Sequence, residues 1–446
     1  MSELNLDTIT IESAARALRE RSISAVELTE AVLQRARNSE KDVNAYAYLC
    51  PEIALAAARK ADELIRSERF LGPCHGIPIG VKDLISTFDM PTEAGSELFK
   101  GHMALRDARI VKCLRDSGAI ILGKHRTHEF GFGMNEPITR SAWAPEYYAG
   151  GSTVGGAVSV SVGSSLAAIG TDGAGSIRKP AAINGLVGLK PTYKLLDNEG
   201  VFPGAGSFTH LGWITRSVYD AQLIFSVTTN QPVPPRLDDI KGLRVGCPSY
   251  FFKDIQADIG KLVKRCLDIF ADAGAVIVEF DIPELYRSAS IHHMLGLYEA
   301  YGGHKRWIEE SPMLYHPDSL KFLKGGADVG SELAETMRTE RAGMLHLIDA
   351  VFDTHGIDVI CSPTLALSPV KMVDMVPERH LAAYTRLTVP FNVSGQPAIS
   401  IPCGLDDLGI PVGCQLATRS HTDSRLLEIA SFLEARLGWK PPAFAY

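Results

Sequence analysis

The sequence predicts an α/β fold: a mixed, largely parallel, twisted β-sheet core covered by helices on both faces. Three observations predict it. Short apolar runs alternate with longer segments of helical period between residues 76 and 125 and again between 244 and 280, which is the pattern of strand–helix units feeding a sheet. Those runs are apolar almost throughout rather than at alternate residues, as strands covered on both faces must be. No internal repeat or low-complexity tail competes with this reading.

The elements follow in order. Ala25, Leu28, Ala31, Val32 and Leu33 recur at helical spacing, as do the apolar residues between Ile53 and Ile65, so two amphipathic helices are expected near the start. Gly76-Ile77-Pro78-Ile79-Gly80-Val81-Lys82-Asp83 is a short apolar run closed by a charged pair. It reads as a buried strand that delivers Lys82 to its end. Asp107–Gly118 reads as a helix and Ala119-Ile120-Ile121-Leu122 as the next strand. The stretch from Gly150 to Thr192 is the densest in Gly and Ser, where backbone must approach something closely. Val245-Gly246 and Val276-Ile277-Val278 read as strands flanking the helix Ile259–Ala271, and Asp358-Val359-Ile360 as a strand ending at Ser362-Pro363. Gln231–Pro235 is the best linker, but strand patterns on both sides of it predict one continuous sheet. The expectation is a single domain over 1–446, with a motif-bearing core at about 70–220 and a second half at about 236–446 that shapes the pocket.

Composition excludes several classes. The 446 residues are 46% hydrophobic and 22% charged, an ordinary globular balance. A net charge of −7 without any Lys/Arg cluster gives no footprint for nucleic acid. The N-terminus has acidic residues where a signal peptide needs a basic start and an apolar core, so a cytoplasmic location and reduced cysteines are expected. The uncharged stretch from Tyr147 to Thr171 is too rich in Gly and Ser for a membrane span. Its composition suits a buried glycine turn leading into a tightly packed helix.

Two look-alike motifs fail on mechanism. Gly118-Ala-Ile-Ile-Leu-Gly123-Lys124 has P-loop spacing, but its middle is strand-like and His125 stands where a magnesium-binding hydroxyl is required. His125 and His128 could share one helical face, but no third metal-ligand motif accompanies them. A structural histidine pair is expected, with no metal and no cofactor.

What remains is a lysine at a strand end and two serines in glycine-rich turns: Lys82, then Gly151-Ser152, then Gly173-Ala174-Gly175-Ser176. Serine needs a base within hydrogen-bond reach to become a nucleophile, and a neutral lysine can act directly or through a second hydroxyl. A free lysine is neutral in only roughly one molecule in 2,500 at pH 7. Burial at the end of an apolar strand is expected to bring Lys82 to roughly 7 to 8. Strand alternation points Asp83 to the opposite face, away from Lys82. The run Gly173–Ser176 could aim successive backbone N–H groups at a developing oxyanion, although such runs are also ordinary turns.

Gly76–Asp83, the Gly151-Ser152 turn, Gly175-Ser176-Ile177-Arg178-Lys179-Pro180-Ala181-Ala182 and Gly185-Leu186-Val187-Gly188-Leu189-Lys190-Pro191-Thr192 together resemble the amidase signature family. The 24 residues between Ser152 and Ser176 match that family's spacing. Weaker similarities extend along nearly the whole chain: Asn44-Ala45-Tyr46, Cys361-Ser362-Pro363-Thr364, Pro390–Ala398 and Gly413-Cys414-Gln415. The resemblance implies an amidase with Ser176 as the acylated nucleophile, Ser152, commonly on a cis peptide, as the proton relay, and Lys82 as the base. It places the oxyanion hole on the N–H groups of Gly173, Ala174, Gly175 and Ser176. Met134, Gly151, Asp172 and Arg178 are candidate substrate contacts.

Val154 and Gly156 replace the family's Gly and Ser, and Ala174 replaces a Gly. Ala174 therefore implies either a negative φ or an αL residue under mild strain. The expected partner is a small amide, with no nucleic acid or membrane, and with a homodimer left open. The alternative is the catalytic A-type subunit of a tRNA-dependent amidotransferase. That subunit usually continues with Gly-Arg where this chain has Lys194-Leu195.

Overall fold

The computed structural model describes residues 5–132, 139–202, 204, 206–444 and 446. Among them eleven strands form one sheet: β1 (Tyr46–Leu49), β2 (Pro78–Lys82), β3 (Ile120–His125), β4 (Ala167–Asp172), β5 (Val187–Lys190), β6 (His210–Thr215), β7 (Arg244–Pro248), β8 (Val276–Phe280), β9 (Val359–Pro363), β10 (Ala398–Leu405) and β11 (Pro411–Ala417). Their spatial order is β1-β3-β2-β4-β6-β5-β10-β11-β9-β7-β8. The sheet therefore runs unbroken across the Gln231–Pro235 connection.

The expectation of a largely parallel sheet is corrected. Parallel pairing is confined to two blocks, β3-β2-β4 and β9-β7-β8. Between them β4/β6, β6/β5, β5/β10, β10/β11 and β11/β9 are all antiparallel, as is β1/β3 at the edge. Strand–helix alternation in the sequence reports only the crossover units. The hairpin β10–β11 turns through Asp406–Gly409, where Gly409 takes φ 77°. Antiparallel strands need no crossover helix.

Helices cover both faces. Alternate strand residues enter different cores: Val359, Cys361, Ile399, Ile401, Cys414 and Leu416 join the larger one. Ile360, Ala398 and Ala417 join a second core with the helices Ser288–Glu310 and Ser331–Thr354. This is the two-residue period of a strand read from both sides. The two early helices span Ala25–Val43 and Pro51–Arg66, the first fixed by a capping box in which Ser24 and Glu27 satisfy each other's backbone N–H groups. The Asp107–Gly118 segment is helical over Arg109–Asp116.

No helix among the described residues is long and apolar enough to cross a membrane. The uncharged stretch becomes a turn, the helix Val154–Val162 and most of β4. That helix packs closely enough that a Cβ on Gly155 would lie 2.2 Å from the Ala45 carbonyl oxygen. The P-loop look-alike is β3 itself.

Candidate active site

Two adjacent parallel strands build the site. β2 and β4 pair with Val81 opposite Ile169, so both chains leave the sheet at the same edge. In open α/β sheets ligands bind beyond such carboxyl ends. β2 carries Lys82 there, and β4 carries Thr171 and runs straight into the turn Gly173–Ser176. The turn Gly151-Ser152, with a cis peptide between its residues, enters the helix that packs under β4. Three separate segments thus converge on one edge.

Lys82 is completely buried, and its Nζ donates to Ser152 Oγ at 2.7 Å and to Thr171 Oγ1 at 2.9 Å. Both acceptors are neutral hydroxyls. Burial lowers the Lys82 pKa to about 7; Asp172 pulls it upward and the Lys179 charge pushes it further down. Asp83 indeed faces the other way and pairs with Lys124 at 3.2 Å. Thr171 is a site residue that sequence reasoning misses; its hydroxyl two residues before the glycine turn is the available signal. Ser176 Oγ makes no hydrogen bond among the described residues. Catalytic hydrogen bonds are often long until substrate is bound.

The turn before Ser176 is held peptide by peptide. His292 Nε2 donates to the Gly173 carbonyl at 2.9 Å, and Thr388 Oγ1 donates to the Ala174 carbonyl at 3.0 Å. The Gly175 carbonyl accepts from Lys179 N at 2.8 Å. In a trans peptide the N–H points away from its carbonyl, so these anchors aim the following N–H groups. Gly175 N–H is committed to Asp172 Oδ1 at 2.7 Å. The N–H groups of Gly173, Ala174 and Ser176 have no acceptor among the described residues. Of the four N–H groups named from the sequence, three are thus without an acceptor among the described residues. Gly175 sits at φ +93°, where a Cβ would collide with Thr388 at 2.3 Å. Ala174 is not among the positive-φ residues, which selects the unstrained alternative.

Asp172 and Arg178, expected as substrate contacts, are both wholly buried and spend their polar atoms on each other and on the turn. Arg178 Nε and Nη2 grip Asp172 at 3.1 and 3.0 Å, and the Asp172 carboxylate also accepts from Ile177 N. Burial pushes the Asp172 carboxyl up, but Arg178 and Asn392 hold it well below the usual carboxylate range. Arg178 reaches on to Gln415 Oε1 at 2.7 Å and Asn392 Oδ1 at 2.7 Å. These two lie in segments that resemble the family without an assigned role. Their role here is mechanical: they tie the Ser176 turn to β11 and to the short helix Val389–Val393.

Gly151 lies against the His128 ring, to which a Cβ there would come within 2.3 Å. Met134 falls outside the described residues. His125 and His128 do not share the helical face that their spacing allows. His125 ends β3, with Nε2 2.9 Å from Ser159 Oγ, and His128 caps a short turn. No cluster that could hold a metal ion occurs among the described residues.

The mixed sheet thus brings a buried Lys82–Ser152 pair and the glycine-rich Ser176 turn to one edge. The family model named Amidase matches residues 27–427. An amidase of Pseudomonas putida is 32% identical over 98% of this chain and 97% of its own length. The A-type subunit of the glutamyl-tRNA(Gln) amidotransferase of Chloroflexus aggregans is 31% identical over 98% of each chain. A crystal structure of an amidase superposes with a TM-score of 0.89 at 32% identity, covering 96% of this chain and all of that one. The peptide amidase of Stenotrophomonas maltophilia gives 0.83 at 26% identity over 97% of this chain and 98% of its own. The chain belongs to the amidase family, and it is a hydrolase of carbon–nitrogen bonds.

Proposed function

We propose that the protein hydrolyses a small amide to a carboxylic acid and ammonia or an amine through an acyl-enzyme on Ser176. The observation that carries this is the 2.7 Å bond from Lys82 to Ser152, made by a lysine that forms no ion pair among the described residues and has a pKa of about 7. Neutral Lys82 takes the Ser152 proton as Ser152 takes that of Ser176, whose Oγ adds to the carbonyl carbon. The oxyanion rests on the N–H groups of Gly173, Ala174 and Ser176. The proton returns through Ser152 to the leaving nitrogen, the C–N bond breaks, and water repeats the sequence to free the acid. Asp172 and Arg178 fix the turn, and Gly151 gives room beside it.

The purified chain is expected to release ammonia or amine from members of a panel of primary amides, anilides and ureas. A fluorophosphonate should label it at Ser176. Ser176→Ala should lose both properties, with turnover down at least about 10⁴-fold, whereas Ser152→Ala should turn over slowly yet still label. Labelling lost in Ser152→Ala and kept in Ser176→Ala would reverse the two assignments.

A second reading, the catalytic component of a tRNA-dependent amidotransferase, is favoured by the relatives of that name that match end to end. Lys194 takes φ 61°, the left-handed region in which glycine is the usual residue, so a lysine here occupies a position that suits glycine; Leu195, where that subunit usually has arginine, still leans against this reading. The chemistry at Ser176 is common to both readings. Amide hydrolysis by the chain alone supports the first, and activity that needs partner proteins and tRNA supports the second.

A further inference from the structure

Each N–H group of the Ser176 turn that lacks an acceptor among the described residues belongs to a peptide whose carbonyl, on the other side of the plane, is held. Asn392 Nδ2 donates to the Asp172 carbonyl at 3.0 Å, His292 Nε2 to that of Gly173 at 2.9 Å, and Lys179 N to that of Gly175 at 2.8 Å. The remaining peptide, Ala174–Gly175, is fastened at both ends, by Thr388 and by Asp172. These holds are not equivalent. Asn392 is itself locked to Arg178 and to the Asp172 carboxylate, and Lys179 N belongs to the backbone of the turn. The Gly173–Ala174 peptide has the imidazole as its one hold among the described residues, and Gly173, having no Cβ, adds little resistance to its rotation.

We infer that His292 is a positioning residue of the reaction at Ser176: by holding the Gly173 carbonyl it aims the Ala174 N–H at the developing oxyanion. It acts through the backbone and touches no reacting atom. This rests on the amidase reading above and deepens it, because the hold comes from the helix Ser288–Glu310 of the second half and acts on the oxyanion cradle of the motif-bearing core. A carbonyl oxygen only accepts, so Nε2 carries the proton. Burial lowers the His292 pKa to about 4, opposed by the Gly173 bond and reinforced by His293, Arg341 and Lys179, so near neutral pH the ring is the uncharged Nε2–H tautomer. The ring is braced as well. Its centroid lies 4.7 Å from that of Phe208, and Phe208 in turn lies 4.2 Å from the Arg341 guanidinium, which is fixed by the Ser207 and Val393 carbonyls at 2.8 and 3.2 Å.

The test compares wild type with His292→Phe, which keeps an aromatic ring against Phe208 but has no N–H, and with His292→Gln, whose amide restores a donor. His293→Gln, on the exposed neighbour, is the control. The measurements are kcat and KM on the best amide of the panel, and the second-order rate of fluorophosphonate labelling, whose phosphoryl oxygen needs the same cradle. His292→Phe should lose about tenfold to a hundredfold in kcat, at or below the about 10²–10³-fold for outright removal of an oxyanion donor. Its KM should stay within about twofold of wild type, since the lost aim matters in the transition state alone. Labelling should slow in parallel, His292→Gln should recover most of both rates, and His293→Gln should match wild type. Wild-type rates in His292→Phe, a change confined to KM, or His292→Gln as slow as His292→Phe overturns the inference. Should His292→Phe not fold, the imidazole nitrogen shifts of wild type near neutral pH decide, the His292 signal being the one missing from His292→Gln: a protonated Nε2 supports the inference and a protonated Nδ1 overturns it. A wild type that neither hydrolyses amides nor labels overturns the amidase reading and this inference with it, whereas a labelled wild type beside an unaffected His292→Phe overturns this inference alone.

Discussion

Lys82 and Lys124 are two buried lysines on neighbouring parallel strands, one ending β2 and the other near the end of β3. They meet opposite environments. Lys124 faces Asp83 at 3.2 Å and Thr92 Oγ1 at 2.7 Å, within a loop whose backbone also binds Asp83. Burial lowers its pKa and raises that of Asp83, each opposed by the other's charge. Lys82 bonds two hydroxyls and, among the described residues, no carboxylate; Asp172 acts on it only through space, and burial takes it to about 7. The same residue type, equally buried on adjacent strands, is a structural ion in one place and a candidate base in the other. The difference lies in whether a carboxylate pairs with the lysine directly: Asp83 does so with Lys124, whereas Asp172 is held by Arg178.

Removing each lysine should therefore have opposite consequences. The largest effect is expected from Lys82→Met, with activity lower by about 10³-fold or more, as for loss of a general base. In wild type the acid limb of the rate profile should follow one ionisation near pH 7. The stability sign also follows from that shift. The folded chain loses the Lys82 proton near 7 and the unfolded chain near 10.5, so the unfolded chain holds more protons between those values. Wild-type stability should climb with pH across that window, and Lys82→Met should flatten the climb. At about pH 6 the variant should be at least as stable as wild type by denaturant titration. A marked loss of stability there would mean that Lys82 is an ion-pair partner after all.

Lys124→Met should instead cost about 3–5 kcal/mol, because it strands the buried Asp83 carboxylate. Chemical denaturation at several pH values checks this. With its partner gone, Asp83 titrates above its unfolded value, so the penalty should shrink as pH falls toward and through the carboxylate range. A penalty independent of pH would point to lost packing rather than stranded charge.

The smallest effect, which isolates the hydroxyl side of the contrast, is expected of Thr171→Val. It removes one of the two acceptors of Lys82 while keeping shape. About 1 kcal/mol for a hydrogen bond corresponds to a roughly fivefold loss of turnover. The acid limb should move to lower pH, since the charged lysine loses a partner. An unshifted limb would make Thr171 a packing residue only.

Much of this is legible in the chain. The β2 and β3 strands, the early helices, and the helix and strands between 244 and 280 follow from local periodicity. Lys82, Ser152 and Ser176 stand in short contiguous motifs whose chemistry can be argued from neighbours in sequence, and the opposite facing of Asp83 follows from strand alternation. The antiparallel centre is not legible, because helical alternation is absent where hairpins and long-range pairing take over. Nor are the anchors of the Ser176 turn: His292 lies 119 residues from the Gly173 it holds, and Gln415 lies 237 from Arg178. Asn392 and Gln415 can be noticed but not given a task.

Local sequence settles which groups can carry the chemistry and roughly which strand ends present them. Hydroxyl, ammonium and glycine identities, and the periods of strand and helix, are properties of neighbouring residues. Which charges are paired and which are left alone is settled by the folded chain alone. It gives Asp83 to Lys124 and Asp172 to Arg178, and leaves Lys82 to hydroxyls. The energy of an ionised group is set by what surrounds it in space once water is gone, and the surroundings of each of these groups come from segments far apart in the chain.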